Sequence, residues 1–160
     1  MKLVEAQVRR YRSIEESTTF DVEPDVTCLV GKNESGKTAT LQALYKSRPI
    51  EPASFDEGLD FPSHKNRELG KLGPIEVTQL IYELDTEEIQ AVETHLGQRA
   101  LASNRVVVHA GYRFPKGATW SVSLDEPAIV NNLLGTMELP PSTAAAANLA
   151  TTVDEIVYVL

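Results

Sequence analysis

Cysteine is almost missing: Cys28 stands alone in 160 residues. That excludes an internal disulfide framework and any multi-cysteine metal site, and it points to a reducing cytoplasm. Long apolar runs are missing as well. No stretch reaches the roughly 18 apolar residues of a membrane-spanning helix. The opening "MKLVEAQVRRYRS" has no apolar segment of about 7–15 residues behind its first charge, so it does not read as a signal peptide. Positive charge is in short supply, with 15 Lys and Arg against 23 Asp and Glu and a net charge of −8. A stand-alone nucleic-acid binder needs clustered cations for phosphate contacts, so this balance counts against that class. The run Arg9-Arg10-Tyr11-Arg12 is a local exception. It reads either as a solvated strand end beside a core tyrosine or as a nucleotide or DNA contact. His64, His95 and His109 are scattered without metal-ligand spacing.

What is present is 42% hydrophobic residues, enough for one domain with a real core. Residues 2–8 alternate as a strand, and "STTFDV" at 17–22, after an expected turn at Ile14-Glu15-Glu16, reads as its antiparallel partner. "VTCLV" at 26–30 is a continuous apolar run, the pattern of a strand buried on both faces. From Lys37 to about Lys46, Leu41, Leu44 and Tyr45 recur at helical spacing, and Arg48-Pro49 ends that helix. Residues 48–74 hold four prolines and three glycines and read as a long loop of functional or mobile character. "IEVTQLIYEL", 75–84, is a strand. Asp85 and Glu88 form a cap pair opening a helix over 86–96, which Gly97 stops. "RVVVHAGYRF" and "ATWSVSL" flank Pro115-Lys116-Gly117 as a hairpin, with Trp120 and Tyr112 as its cross-strand pair. Residues 126–160 read as helical, weakly specified.

Gly31-Lys32-Asn33-Glu34-Ser35-Gly36-Lys37-Thr38 fits G-x-x-x-x-G-K-[ST] at every defined position. Chance would produce it in a chain of this length on the order of once in 200, and a strand before it with a helix behind it sharpens the signal. The chemistry asks for these residue types. Gly31 and Gly36 permit backbone torsions that let successive N–H groups converge on an anion. Lys37 supplies a mobile cation for the β- and γ-phosphates, and Thr38 offers a hydroxyl to Mg²⁺. Asn33, Glu34, Ser35 and Ala39 complete the candidate site through their backbone. The helix beginning here adds its positive dipole end.

The first strand, Tyr11-Arg12-Ser13-Ile14 and "CLVGKNESGKTATLQALY" together resemble the N-terminal lobe of SMC/RecF-type ABC ATPase heads. The "GKNESGKT" form resembles the ATPase domains of the OLD (overcoming lysogenization defect) family and its AAA-labelled relatives. Residues 1–47 carry the likeness, which extends loosely to about 125. It implies an α/β P-loop NTPase fold with an antiparallel β-subdomain over 75–125. It also implies ATP and Mg²⁺ as ligands, Arg12 and Ser13 beside the nucleotide, and an ATP-dependent head dimer. The wider family works on DNA in repair, chromosome maintenance or phage defence, and OLD members carry a Toprim nuclease further along the chain.

Such a head also needs a signature segment and a carboxylate pair at the end of a buried strand, where a glutamate polarises the attacking water. "WSVSLDEP", 120–127, imitates that ending in Asp125-Glu126. Yet Trp120, Val122 and Leu124 alternate with serines, the mark of a strand with one wet face, so Asp125-Glu126 reads as a turn or helix start. Gln79 lies mid-strand and takes no metal-sensing role. The chain is therefore expected to be the N-terminal segment of a larger ATPase, cut in mid-apolar run at "VYVL". It is expected to bind nucleotide, to turn over little of it alone, and to partner the remainder of its head. Two alternatives stay open: a non-catalytic interaction module with a vestigial loop, and a small stand-alone P-loop NTPase. A switch GTPase would require an N-K-x-D element, which does not follow Thr38.

Overall fold

Alternating apolar and polar side chains from Lys2 onward build one long strand. In the computed structural model, which describes residues 1–33, 35–114, 117–137, 139, 140, 143, 144 and 147–159, this strand β1 runs Lys2–Tyr11. Ala6 and Val8 are buried on it. Arg10 takes φ 48°, a left-handed conformation that side chains enter at a cost. There the alternation slips by one residue, so Tyr11 joins Val8 in the same core cluster.

Strand β2 (Ile14–Glu16) returns antiparallel through the two-residue tip Arg12-Ser13, with Tyr11 opposite Ile14 and Arg9 opposite Glu16. Strand β3 (Phe20–Asp21) pairs antiparallel with β1 as well. The expected turn at 14–16 is thus a strand, and the expected strand at 17–22 shrinks to two residues. Ser17 explains the break: its hydroxyl, in place of its carbonyl, accepts the Val8 N–H at 3.0 Å, a side-chain bond that competes with the ladder. Strand β4 (Ile75–Glu83) lies antiparallel on β1's other side, Ala6 opposite Leu80 and Val8 opposite Thr78. With β5 (Leu101–Tyr112) and β6 (Ala118–Leu124), the sheet order is β2-β1-β4-β5-β6, and β3 also sits on β1. The fold is α/β with an antiparallel sheet.

Where the sequence reads as one domain, packing divides the chain into two compact units. One is Lys2–Glu83 with Val106–Ser121. The other is Leu84–Arg105 with Val122–Leu160 and Met1.

In the first unit, helix α1 (Lys37–Ser47) packs on β1 and β4. Its inward face is Ala39, Thr40 and Ala43, whereas Leu41 and Tyr45, expected inside, are 58% and 44% exposed. Short side chains let the helix lie close to the sheet, and the Ser47 hydroxyl meets that of Thr78 at 2.6 Å. The apolar run 26–30 corrects a second expectation. It forms no strand, and Val26 and Val30 are 71% and 90% exposed. Apolar character makes a buried strand only where neighbouring strands supply ladder partners and cover, and no described strand flanks it.

Residues 48–74 are more ordered than a loop. They hold helix α2 (Glu57–Asp60), a 3-10 turn at Ser63–Lys65 and helix α3 (Asn66–Leu69). Phe55 and Phe61 set their rings edge-on against Tyr112, and Phe55 also meets Tyr11. Tyr112 is therefore a core residue here, and Trp120 stacks on Tyr82 at 6.4 Å instead of pairing with it. Of the expected hairpin tip, Gly117 is described at φ 83°, and Pro115 and Lys116 lie outside the described residues.

In the second unit, helix α4 (Thr86–Leu96) opens on the Asp85–Glu88 capping box and ends at Gly97, φ 90°. Helix α5 (Glu126–Thr136) packs against α4 and against α6 (Val153–Val159). Among the described residues no helix is long and apolar enough to cross a membrane.

Candidate functional site

Two glycines shape the loop ahead of α1. Gly36 takes φ 86°, which a side chain would strain, and a Cβ there would press on Ile14 at 3.1 Å. A Cβ on Gly31 would stand 2.7 Å from the Ser35 hydroxyl. Between them the Ser35 N–H donates to the Lys32 carbonyl at 3.2 Å and tightens the turn. Lys37 folds back over the loop. Its Nζ donates to the carbonyls of Gly31 (2.8 Å) and Lys32 (2.7 Å) and to the Ser35 hydroxyl (3.3 Å). Those acceptors are neutral, so an anion entering the loop competes for the ammonium on favourable terms.

The start of α1 differs from those of the helices that side chains cap. Helices α2, α4 and α5 take side-chain caps from Asp56, Asp85 and Asp125. Helix α1 has no side-chain cap and no acid in its first turn. Its first N–H groups lack intrahelical acceptors, and the positive dipole end stays uncompensated. A cavity of about 690 Å³ opens at this end.

Asn33, Ser35, Gly36, Lys37, Thr38 and Ala39, all expected at the site, line that cavity. Arg12 and Ser13 face them from the β1–β2 hairpin tip, and Gln42 joins from α1. Gly31, also expected at the site, does not line the cavity and contributes its carbonyl to Lys37. Glu34 lies outside the described residues. The residues present fit a nucleoside triphosphate with its divalent cation: the N–H groups at the start of α1 and Lys37 would hold phosphate oxygens, and the Thr38 hydroxyl would take the cation.

Sequence reasoning missed the support behind Arg12. Asp60, at the end of α2, is fully buried. Its Oδ1 accepts Arg12 Nε at 3.3 Å and Nη2 at 3.2 Å, and its Oδ2 accepts the Asp56 N–H at 3.0 Å and also Lys46 Nζ. Arg12 Nη1 reaches Gln42. Burial pushes the Asp60 carboxyl up, but Lys46 and the Asp56 amide outweigh it and hold the group below the ordinary aspartate range. The neighbouring Tyr11 hydroxyl is buried and makes no hydrogen bond among the described residues. Burial first, and the Asp60 carboxylate second, push its pKa up to about 12, so it stays neutral. The signal for Asp60 was an acid between two apolar residues, Leu59 and Phe61, inside a segment read as a loop.

The remaining candidates have structural work. Asp125 Oδ1 accepts the Ala128 N–H at 3.0 Å and starts α5, as the alternating pattern of β6 indicates, and Glu126 Oε2 accepts the Val153 N–H at 3.3 Å. His64 pairs with Glu15 and His109 with Glu76. Gln79, on β4, faces Arg9. Among the described residues no cluster suited to a metal ion occurs.

Comparison with known proteins agrees with this geometry. Residues 1–71 match the family model of the AAA ATPase domain, a span that contains every residue lining the cavity. The chain is also similar to a solved structure from work on ATP-driven dimerization and DNA-stimulated activation of SMC ATPases. The identity is 14%, over 99% of this chain and 90% of that one, with a TM-score of 0.42, a likeness too loose to carry an argument. No curated protein matches the chain.

Proposed function

We propose that the chain binds Mg-ATP in the cavity between the β1–β2 hairpin tip and the start of α1, as the nucleotide-binding part of an SMC/RecF-type ATPase head. The observation that carries this reading is convergence. A glycine-shaped loop, a lysine, an uncapped helix start and an arginine from the β1–β2 hairpin tip all face one cavity. The AAA ATPase match over residues 1–71 supports ATP as the nucleotide.

Hydrolysis, on this reading, depends on groups outside the site described here. Its carboxylate pair is not Asp125-Glu126, which are engaged at the start of α5. The exposed apolar run 26–30 supports a partner surface, because Val26 and Val30 would be covered once the remainder of the head supplies flanking strands. An OLD-like assembly, cytoplasmic and acting on DNA in repair, processing or phage defence through ATP-dependent pairing of two heads, is the wider setting we propose. A calorimetric titration with Mg-ATP tests the core of it. Saturable one-site binding with little turnover is expected, and no heat of binding would leave the vestigial-loop alternative in its place. Light scattering with and without a slowly hydrolysed ATP analogue tests the pairing.

A further inference from the structure

Arg12 is held in place at a cost. It takes φ 51° at the first central position of a two-residue hairpin, where glycine or asparagine is usual because other side chains are strained there. Strain of this kind persists only where the surroundings over-determine it. Here a single residue holds both ends of Arg12. The Asp60 carbonyl accepts the Arg12 N–H at 2.6 Å, and the Asp60 carboxylate accepts Nε and Nη2.

The two partners differ sharply in freedom. Asp60 is fully buried, and Lys46 and the Asp56 amide fix its other oxygen, so it cannot follow the arginine outward. The Arg12 side chain is 43% exposed and lines the cavity opposite Lys37 and Thr38. Among the described residues, Asp60 and Gln42 engage three of the five guanidinium N–H groups, which leaves donors for an anion.

We infer that Asp60 is a positioning residue for the nucleotide: it holds Arg12 at the cavity rim in the orientation that meets the phosphates. This rests on the nucleotide reading above. An exposed arginine would surrender rotamer entropy on meeting a triphosphate, and one already clamped by Asp60 has given up most of it beforehand. Residues 55–61, a proline-flanked stretch remote in sequence from the loop, thereby become part of the binding machinery.

The test is a double-mutant cycle on Mg-ATP affinity, measured by calorimetry on the whole chain well below its unfolding midpoint. Arg12→Ala should weaken binding at least about tenfold, the loss of one charge-assisted contact, and Asp60→Asn about five- to tenfold, because the arginine remains and is no longer held in place. The double variant should bind no more weakly than Arg12→Ala alone. A carboxylate that only stabilised the fold would act equally in both backgrounds. Wild-type affinity in Asp60→Asn, or a loss that persists undiminished without Arg12, overturns the inference. Should Asp60→Asn fail to fold, Asp56→Ala removes the exposed cap of α2 and loosens Asp60 indirectly. A loss of about two- to threefold that vanishes in the Arg12→Ala background is then expected, and unchanged affinity overturns the proposal. Lys37→Ala separates the two levels. If it weakens Mg-ATP binding while Asp60→Asn binds as tightly as the parent, the positioning role alone fails; if the wild type itself does not bind, both readings fall.

Discussion

Replacing Lys37 by alanine asks whether the loop is a cradle or merely has the shape of one. In the structure Nζ touches three neutral oxygens of its own loop, at 2.7 to 3.3 Å. Each such contact near solvent is worth little net, so the variant should lose no more than ~1 kcal/mol of stability. The nucleotide experiment reads a different quantity. With a triphosphate bound, the ammonium exchanges those carbonyls for phosphate oxygens, a charge-assisted contact worth about 1.5–3 kcal/mol, so the Mg-ATP dissociation constant should rise roughly 10- to 150-fold. The loss should be much smaller for AMP, because the lysine serves the terminal phosphates. Calorimetry with both nucleotides, beside a thermal melt of the free protein, measures all three effects. Equal affinity for ATP in the variant and the parent would falsify the site. An equal loss for AMP would show that the damage lies in the loop's shape and not in the missing charge.

Acid should weaken the fold partly through Asp60. Its carboxyl lies lower in the folded chain than in the unfolded one, so the unfolded chain binds more protons as pH falls, and stability drops below about pH 4. Urea midpoints at pH 6 and pH 3 should therefore differ less in Asp60→Asn than in the parent, and an unchanged acid slope would count against this assignment. Asp125→Ala should cost about 1 kcal/mol of stability, by removing the cap of α5, and leave Mg-ATP affinity untouched. Glu126→Gln in an intact head should leave turnover unaltered; trapped ATP would restore Glu126 as the catalytic carboxylate. DNA binding by this chain should be weak and fall steeply with salt, given a net charge of −8. Tight binding at physiological salt would contradict that.

Local rules carried the sequence reading a long way. The glycine turn ahead of α1, the capping box at Asp85 and Glu88, the stop at Gly97 and the helix start at Asp125 are each set by a few neighbouring residues. A cap or a glycine turn needs no distant partner, so its residues announce it. Where the answer depended on what else is nearby, the sequence by itself was insufficient. The run 26–30 has the composition of a buried strand and lies exposed, because burial requires neighbours and composition does not supply them. Helix α1 turns Ala39 and Ala43 inward and leaves Leu41 outside, because close approach to the sheet outweighed the larger side chains. Asp60 and Arg12 stand 48 positions apart, and only the folded chain, with its stretch 48–74 packed against Tyr11 and Tyr112, brings that carboxylate beneath the arginine.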